Sequence, residues 1–533
     1  MTNREKPSEK RGHSCVSPPA SRRPPGRGHA SVSPLFAVLA ALSLTSPAAQ
    51  RPVDPSPSTI KVGTRLVQID VIVRDKNGPI STLTRDDFTI LDQGRPQQIA
   101  VFSSSAAQAA ASSKSTPLPP GVISNRQSPS GRPIPGATAI LLDLVNTQFD
   151  HQAYARTQLL KYLAAPRSHD QTAVYALGKS LRVVQDFTDD PDKLIQAVRR
   201  FDPKLNELII PSLEHMDDVD LKMYAMSEGY YAENRAYVTE QAIALIARHL
   251  AGMSGRKSLI WLSDTPGFNG VGSLAAANIN LYPVQVRTVG AVRINPWTPA
   301  TASLFDGKNI VGQSGANELD LIHRNQMIAA SRGGVAFADA RDIGRAVDQA
   351  EEDATHTYTL GFYPSEESLD GKFHTLTVSV LPKIKSLDLR YRPGYFATLK
   401  QPIPISSVHA AFDSPLNSTA IGLTAKSAPD GPGASRVDLT IDLHDLQVGQ
   451  GQALPLRYEA QIEINYLLEG SPTLRTETAK IVLTEAQLPQ ALKDGILIRN
   501  TFESAAPDST LRIVVRDPST GALGSLRVPL VVK

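Results

Sequence analysis

Cysteine is almost absent from this sequence, which has one, Cys15, among 533 residues. It precedes the apolar run Leu35–Leu44, inside a segment with the features of an export signal. A lipoprotein cysteine would follow such a run, so Cys15 is not placed for lipidation and would leave with the signal. We therefore expect a mature chain without disulfide bonds, thiolate metal sites or a cysteine nucleophile.

An excess of charge of one sign is also missing from most of the chain. The formal net charge is +3, but seven of the 55 basic and two of the 52 acidic residues lie within the first fifty. The remainder then holds 48 basic and 50 acidic residues. Such a nearly neutral body lacks the basic surface of a nucleic-acid-binding protein, so we expect no nucleic-acid partner.

Hydrophobic runs long enough to span a bilayer are missing as well. The longest, Leu35–Leu44, has about ten residues, whereas a membrane helix needs about 20. Basic residues precede this run and small residues follow it, with a plausible cleavage point after Ala48. Residues 1–49 therefore predict a signal peptide and a secreted or periplasmic protein without a membrane span in the mature chain. A retained N-terminal anchor is the alternative.

The pattern along the rest of the chain predicts a multidomain protein of α/β plus all-β class. Short alternating strands with tight turns over residues 59–102 favour an N-terminal immunoglobulin-like or meander β module. Residues 103–136 are rich in Ser, Ala, Pro and Gly and predict a disordered linker. Strands and helices alternate over residues 138–400, which indicates a doubly wound Rossmann-like sheet with its last strands as an antiparallel extension. Residues 405–533 predict a C-terminal β-sandwich.

Two apolar runs that end in an aspartate are the most informative feature of the α/β region. The runs AILLDLVNT and SLIWLSD each have the pattern of a buried parallel strand. Ligands of open α/β sheets bind outside the carboxyl ends of the strands. The polar residues at these ends are therefore the expected ligand-binding residues: Asp143, Asn146 and Thr147 on the first run and Asp264 on the second.

Several segments together resemble the acidobacterial VWFA-related family, whose core is a von Willebrand factor A-type (vWA) domain. The matching segments span residues 60–400 in the family's order: LVQIDVIVRDKNG at 66–78, LTRDDFTILDQGRPQQIAVF at 83–102, LLDLVNT at 141–147, VVQDFTDD at 183–190, GRKSLIWLS at 255–263, ASRGGVAF at 330–337, YTLGFYP at 358–364 and RYRPGYF at 390–396. The ending GALGSLRVPLVVK also resembles the tail of longer members.

The resemblance implies a metal-ion-dependent adhesion motif, in which Asp-x-Ser-x-Ser, a separate threonine and a later aspartate hold a cation. By position, Asp143 matches the first aspartate, Thr147 the second serine and Asp264 the later aspartate. Val145 replaces the first serine and cannot ligate, while Asn146 could offer a carbonyl oxygen one residue out of register. The implied site is degenerate, with Asp143, Thr147 and Asp264 as candidate ligands of Mg²⁺ or another divalent cation.

The remaining member of the motif has no convincing match. Thr188 comes too early in the sequence, and Thr239 falls inside a predicted helix. A competing interpretation needs no metal: Asp143 and Asp264 cap strand ends and accept backbone hydrogen bonds. No cofactor is therefore certain from the sequence.

The resemblance implies a binding or adhesion protein for a protein or cell-surface ligand, not an enzyme. No Gly-x-Ser-x-Gly, His-Glu-x-x-His or phosphate-binding lysine loop is present. The alternatives are an exported hydrolase with an unrecognised active site and a structural envelope protein. Residues 331–334 could cradle an anion, although a glycine helix stop explains them more simply. Residues 214–233 form an insertion packed over the sheet or a recognition surface beside Asp143.

Overall fold

The computed structural model describes residues 66–105, 118–127, 136–165, 171–201, 217–265, 271–286, 310–365, 370–381, 387–397, 406–450, 456–503 and 509–532. The predicted signal peptide, residues 1–49, lies outside these ranges. Among the helices within them, none is both long and apolar enough to cross a membrane.

Two antiparallel sheets that share one core form the first layered unit of the fold, which we call the first β-sandwich. Its strands are β1 (Val67–Asp75), β2 (Gly78–Pro79), β3 (Phe88–Asp92), β4 (Arg95–Gln97), β5 (Val101–Ser104), β12 (Thr357–Phe362), β13 (Phe373–Val380), β14 (Asp388–Arg390) and β15 (Gly394–Phe396). One sheet has the order β14-β1-β12-β5, with β2 paired to β1, and the other has the order β15-β13-β3-β4. Ile69, Leu360 and Val378 belong to one buried core that both sheets share.

The partners of the strands after residue 356 differ from the sequence expectation. They were expected to extend the α/β sheet, but Leu360 pairs with Ile69 of β1 and Val378 pairs with Ile90 of β3. Alternating strands each have one apolar face to bury, and a few short strands from residues 66–104 cannot cover their own faces in water. The antiparallel extension is thus wrong, whereas the immunoglobulin-like class and the domain boundaries stay predictions.

A mixed α/β sheet lies between these two groups of strands in the sequence. It contains β7 (Ala137–Asp143), β8 (Thr172–Leu177), β9 (Leu181–Thr188), β10 (Lys257–Ser263) and β11 (Ile279–Gln285). The order is β11-β10-β7-β8-β9, and every pair is parallel except the β8–β9 hairpin. The chain therefore builds the sheet outward from β7 in both directions, first through β8 and then through β10.

Helices cover both faces of this sheet. One face packs against α1 (Phe149–Leu163), α2 (Pro191–Arg200) and α6 (Ile343–Thr355). The other packs against α3 (Asp218–Leu250), α4 (Val271–Ala276) and α5 (Ile310–Ser331). Because both faces are covered, β7 and β10 are buried along their whole length, which explains their continuous apolar runs.

The C-terminal region is a second pair of antiparallel sheets around one core. The first sheet contains β6 (Val122–Ser124), β16 (Leu423–Pro429), β17 (Ala434–Ile441) and β21 (Ile496–Glu503). The second contains β18 (Gly449–Gln450), β19 (Arg457–Leu468), β20 (Leu474–Thr484), β22 (Thr510–Arg516) and β23 (Leu523–Pro529). Two short helices, α7 (Ser406–Asp413) and α8 (Leu488–Asp494), accompany these sheets. The expected sandwich is what the structure shows.

Part of the predicted linker is ordered, which corrects the expectation of disorder over residues 103–136. The segment 118–127 contributes β6 to the C-terminal sheet. The Asn125 amide nitrogen donates to the carbonyl oxygens of Ser418 and Ile421, both at 2.8 Å. Arg126 forms an ion pair with Asp445 at 2.9 Å. These side-chain contacts fix a segment whose composition carries no strand signal, while residues 106–117 and 128–135 lie outside the described ranges.

Candidate functional site

All four predicted ligand-binding residues lie together at one edge of the α/β sheet. Asp143 is the last residue of β7, and Asp264 directly follows β10. Asn146 and Thr147 lie in the loop that connects β7 to α1. These two strands are neighbours at the point where the strand order reverses, which is where open α/β sheets bind ligands. Each of the four residues is buried.

Hydrogen bonds occupy the Asp143 carboxylate on both oxygens. Oδ1 accepts from the backbone nitrogens of Val145 (3.2 Å) and Asn146 (3.0 Å) and from Asn146 Nδ2 (3.1 Å). Oδ2 accepts from Asn146 Nδ2 and from Trp261 Nε1, both at 2.9 Å. Burial raises the pKa of Asp143, and the bonds from Asn146 and Trp261 oppose that rise. Four donor groups fill the roughly four lone-pair positions of a carboxylate.

Asp264 differs because only one of its oxygens is bonded. Oδ2 accepts from the Gln148 backbone nitrogen at 3.0 Å and lies 2.7 Å from His151 Nδ1. Its backbone nitrogen donates to the Thr147 hydroxyl at 3.3 Å. Oδ1 is buried and has no hydrogen-bond partner among the described residues. A buried carboxylate oxygen without a donor is unfavourable, so this atom is the acceptor that an incoming donor or cation would satisfy.

Two residues that the sequence reasoning did not select also belong to this site. His151 lies in the first turn of α1 and contacts Asp264, although 113 residues separate them and no local pattern connects the two. Thr239 lies in α3, as expected, yet its hydroxyl accepts from Asn146 Nδ2 at 2.9 Å. Thr188 ends β9 at the opposite edge, where it pairs with Thr172. A hydroxyl from a separate element therefore does reach the loop, and it comes from Thr239.

The arrangement fits a directly bound cation poorly at Asp143. A divalent ion there would have to displace the Asn146 amide or the Trp261 ring nitrogen, because both carboxylate oxygens are already bonded. The described residues contain no group of three or more His, Cys, Asp or Glu side chains able to hold a metal. The oxygens best placed to ligate a cation are Asp264 Oδ1 and the hydroxyls of Thr147 and Thr239. The metal set of Asp143, Thr147 and Asp264 stays a prediction.

Comparison with known proteins does not assign the chain to a family. No protein-family model matches it, and no curated protein matches it. The similar solved structures include an aerotolerance-related membrane protein from Bacteroides fragilis (11% identity, 41% of this chain and 98% of that one, TM-score 0.24). They also include the conserved hypothetical protein BatB from Bacteroides thetaiotaomicron (12%, 41% and 98%, TM-score 0.24).

A third similar structure is a von Willebrand factor type A protein from Catenulispora acidiphila (9% identity, 75% of this chain and 67% of that one, TM-score 0.21). All three TM-scores are below 0.5 and all three identities are at most 12%. These similarities therefore identify neither a family nor a function.

Proposed function

We propose that this chain is an exported vWA-type binding protein, not an enzyme, that recognises a protein or cell-surface ligand at the carboxyl edge of its α/β sheet. One observation carries the proposal: Asp143, Asn146, Thr147 and Asp264 converge where the strand order reverses between β7 and β10. Polar side chains gathered on rigid strand ends and the adjoining loop are typical of a binding site.

The two aspartates have different roles in this proposal. Asp143 organises the loop, because its oxygens hold the backbone of Val145 and Asn146 and the ring of Trp261. Asp264 carries the acceptor Oδ1, which has no donor among the described residues, and His151 and Gln148 hold its other oxygen in place. A donor group on the ligand that reaches Oδ1 would satisfy a buried hydrogen-bond acceptor that is otherwise unsatisfied, which is energetically favourable.

The dimensions of the site argue against an enclosed small-molecule substrate. The cavity that adjoins Asp143 and Thr147 has a volume of about 10 Å³, roughly that of one water probe. Pockets for drug-sized ligands measure about 300–1,000 Å³. The helix that supplies Thr239 also exposes the large side chains of Val219, Met223 and Tyr237. At about 1.5 Å per residue, Val219 and Met223 lie roughly 24–30 Å along this helix from Thr239, so these exposed side chains support recognition by the helix itself and not a surface beside Asp143.

A cation contributes weakly in this proposal. Any Mg²⁺ at the edge would rely on Asp264 and hydroxyl oxygens, and water would complete its octahedral shell. Calorimetric titration of the mature protein with Mg²⁺, Mn²⁺ and Ca²⁺ tests this point. We expect small heats at millimolar metal that vanish in Asp264→Asn. The absence of both heat and a shift of the melting temperature would remove the cation from the proposal and leave ligand recognition standing.

The experiment for the main proposal is a crosslinking pull-down with the exported protein. Wild type is compared with Asp264→Asn and with Glu352→Gln, which removes an acidic charge at the opposite edge of the sheet. We expect a partner that Asp264→Asn loses and Glu352→Gln retains. Equal capture by all three proteins would place the interface elsewhere, and turnover of a peptide or glycan panel that Asp264→Asn abolishes would favour the hydrolase.

Export is tested separately because it rests on the first 49 residues alone. Mass spectrometry of the protein recovered from the periplasm and the medium should show a mature N-terminus near residue 49. Recovery of the full-length chain in the cytoplasm would contradict export.

A further inference from the structure

A cleft with a volume of about 200 Å³ lies between the first β-sandwich and the amino-terminal edge of the α/β sheet. One wall comes from α4 and from Asn278 just before β11, and the other comes from β1, β13 and β15. Two arginines, Arg332 and Arg392, line it together with three aromatic residues, Phe373, Tyr395 and Phe396. This cleft is at the opposite edge of the sheet from Asp143 and Asp264, so it is separate from the site proposed above.

The backbone at Arg332 is the predicted helix stop. The nitrogen of Gly334 donates to the carbonyl of Ala329, and that of Gly333 donates to Ala330, which together form the hydrogen-bond pair of a Schellman motif. Gly333 has a φ of 68°, as this motif requires. The backbone of this turn is thus accounted for by the helix end, and only the Arg332 side chain faces the cleft.

Arg332 is a cation that has no counter-charge among the described residues. Its Nε atom is buried and has no hydrogen-bond acceptor, and no ion pair to its guanidinium is found among the described residues. Burial lowers the pKa of Arg332, with no compensating acid. Partly buried arginines usually pair with a carboxylate or a phosphate. The Arg332 guanidinium can therefore pair with an anionic group that enters the cleft.

Arg392 is held in position by the walls of the cleft. Its guanidinium donates to the carbonyl oxygens of Gln68 in β1 and Ala275 in α4. It therefore presents its positive charge from a fixed place, and it lines a smaller adjoining cavity together with Arg332 and Asp70. The Asp70 carboxylate is already engaged by the Thr359 hydroxyl (3.1 Å) and Asn278 Nδ2 (3.3 Å).

The rim of the cleft is aromatic and exposed. Phe373 and Phe396 are 44% and 53% exposed and form an edge-to-face pair with ring centroids 5.3 Å apart. Tyr395 behind them is buried, and its hydroxyl donates to Asp92 at 2.8 Å. An exposed aromatic pair beside arginines offers an apolar contact to a ligand whose charged end reaches the guanidinium groups.

From this geometry we infer that the cleft binds a carboxylate joined to an apolar group of about the size of one amino-acid residue. The two arginines match the planar fork of a carboxylate, and the aromatic rim matches the apolar part. The volume, about 200 Å³, is below the range of about 300–1,000 Å³ typical of drug-sized ligands, which limits the occupant to one residue-sized group. A free acid and the C-terminal residue of a peptide share this chemistry.

The test uses two probes that differ only in charge, N-acetylphenylalanine and N-acetylphenylalaninamide, titrated calorimetrically into the mature chain. We expect the acid to bind at one site and the amide to bind at least about tenfold more weakly, since it loses a charge-assisted hydrogen bond. Arg332→Gln should weaken the binding of the acid by a similar factor. The matched control is Arg345→Gln, because Arg345 is 72% exposed and pairs with Asp342 far from the cleft.

Other results decide the remaining points. Arg332→Gln should keep or raise the melting temperature, because it removes a partly buried cation that has no counter-charge among the described residues. Phe396→Ser should weaken the binding of the acid while leaving both arginines in place. Equal binding of acid and amide, or inorganic phosphate that competes as well as the acid, would overturn the inference. If N-acetyl-Ala-Ala-Phe binds more tightly than N-acetylphenylalanine, the result supports a peptide C-terminus as the ligand. Equal affinity of the two compounds supports a free acid. Asp264→Asn should leave acid binding unchanged, which separates this result from the fate of the carboxyl-edge proposal.

Discussion

The two edges of the α/β sheet hold their buried acids in opposite ways. At the carboxyl edge, neutral donors and one histidine hold Asp143 and Asp264, and no arginine or lysine contacts either one in the described part of the chain. At the amino edge, Asp353 has a fully buried side chain and lies against the guanidinium groups of Arg256 and Arg390. The same residue type thus faces two guanidinium groups at one edge, and at the other it faces neutral hydrogen-bond donors and one histidine.

This difference separates a structural role from a binding role. Asp353 also accepts from the Tyr282 hydroxyl and from Gln349 Nε2, so its network joins β11, α6 and the strand of Arg390 in the first sandwich. The Asp353 carboxylate thus faces a guanidinium group at each of its oxygens. At the carboxyl edge, Asp264 Oδ1 has no hydrogen-bond partner among the described residues. A buried acceptor without a donor is unfavourable, and a donor on a ligand at the strand ends, where open α/β sheets bind ligands, would satisfy it; for this reason we place recognition at the carboxyl edge.

The largest effect on the contrast between the two edges is expected from removing Asp353, the buried acid of the amino edge. Asp353→Ala should lower the free energy of unfolding by about 3–5 kcal/mol, because it leaves Arg256 buried without its acid. Guanidinium unfolding followed by circular dichroism measures the loss. The control is Glu352→Gln, one residue away, whose partly exposed pair with Arg74 should be worth no more than about 1 kcal/mol. Equal losses for the two variants would contradict a structural role for the buried network.

Lys257 is an exception at the amino edge, because it is a buried cation whose Nζ donates to the Ala251 carbonyl at 3.2 Å and pairs with no acid among the described residues. Burial lowers its pKa to about 8, and the nearby Asp70 opposes this shift. The folded state therefore releases its proton before the unfolded state does, so wild type gains stability as pH rises from about 8 to 10.5. Lys257→Met should be more stable at pH 7, by on the order of 3 kcal/mol.

That advantage of Lys257→Met should shrink across the same pH window, and unfolding curves at several pH values measure it. A gap between the two proteins that does not change with pH would show that the Lys257 charge costs nothing in the folded state.

Asp143→Asn tests the neutral-donor arrangement at the other edge. An amide in place of the carboxylate directs an N–H group at one of the Asn146 or Trp261 donors, which should cost about 1–3 kcal/mol. Because burial raises the folded pKa of Asp143, its contribution to stability is fully present below about 3.8 and is lost as pH rises through that raised pKa. The difference between wild type and variant should therefore be larger in acid than at neutral pH. A difference that grows toward neutral pH would reverse this assignment.

The carboxyl edge was predictable from sequence because its strands are buried on both faces. The continuous apolar runs before Asp143 and Asp264 marked the strand ends directly, and neighbouring parallel ends bring such residues together. His151 and Thr239 were not predictable, since each contacts the site through tertiary packing and no local pattern points to it. The alternation over residues 66–75 showed a half-buried strand, yet it could not show that the partner, β12, lies about 290 residues later.

The predicted disorder is wrong for residues 118–127 for a related reason. Its strand has only three residues, and its place depends on Asn125 bonding to the backbone around residues 418–423. Composition describes the average tendency of a segment, whereas here one amide side chain decides the outcome. The cleft at Arg332 was hidden in the same way, because its two arginines come from segments 60 residues apart.

Asp264→Asn should have the smallest effect on stability and the clearest effect on binding. The bonded oxygen can still accept from His151 and Gln148, while the new amide nitrogen replaces an oxygen that has no donor in the described structure. We expect a change of less than about 1 kcal/mol in the free energy of unfolding, together with loss of the crosslinked partner. Asp143→Asn should instead reduce stability and binding together. If Asp264→Asn proved as destabilising as Asp143→Asn, both aspartates would be strand-end caps, and the carboxyl edge would be as structural as the amino edge.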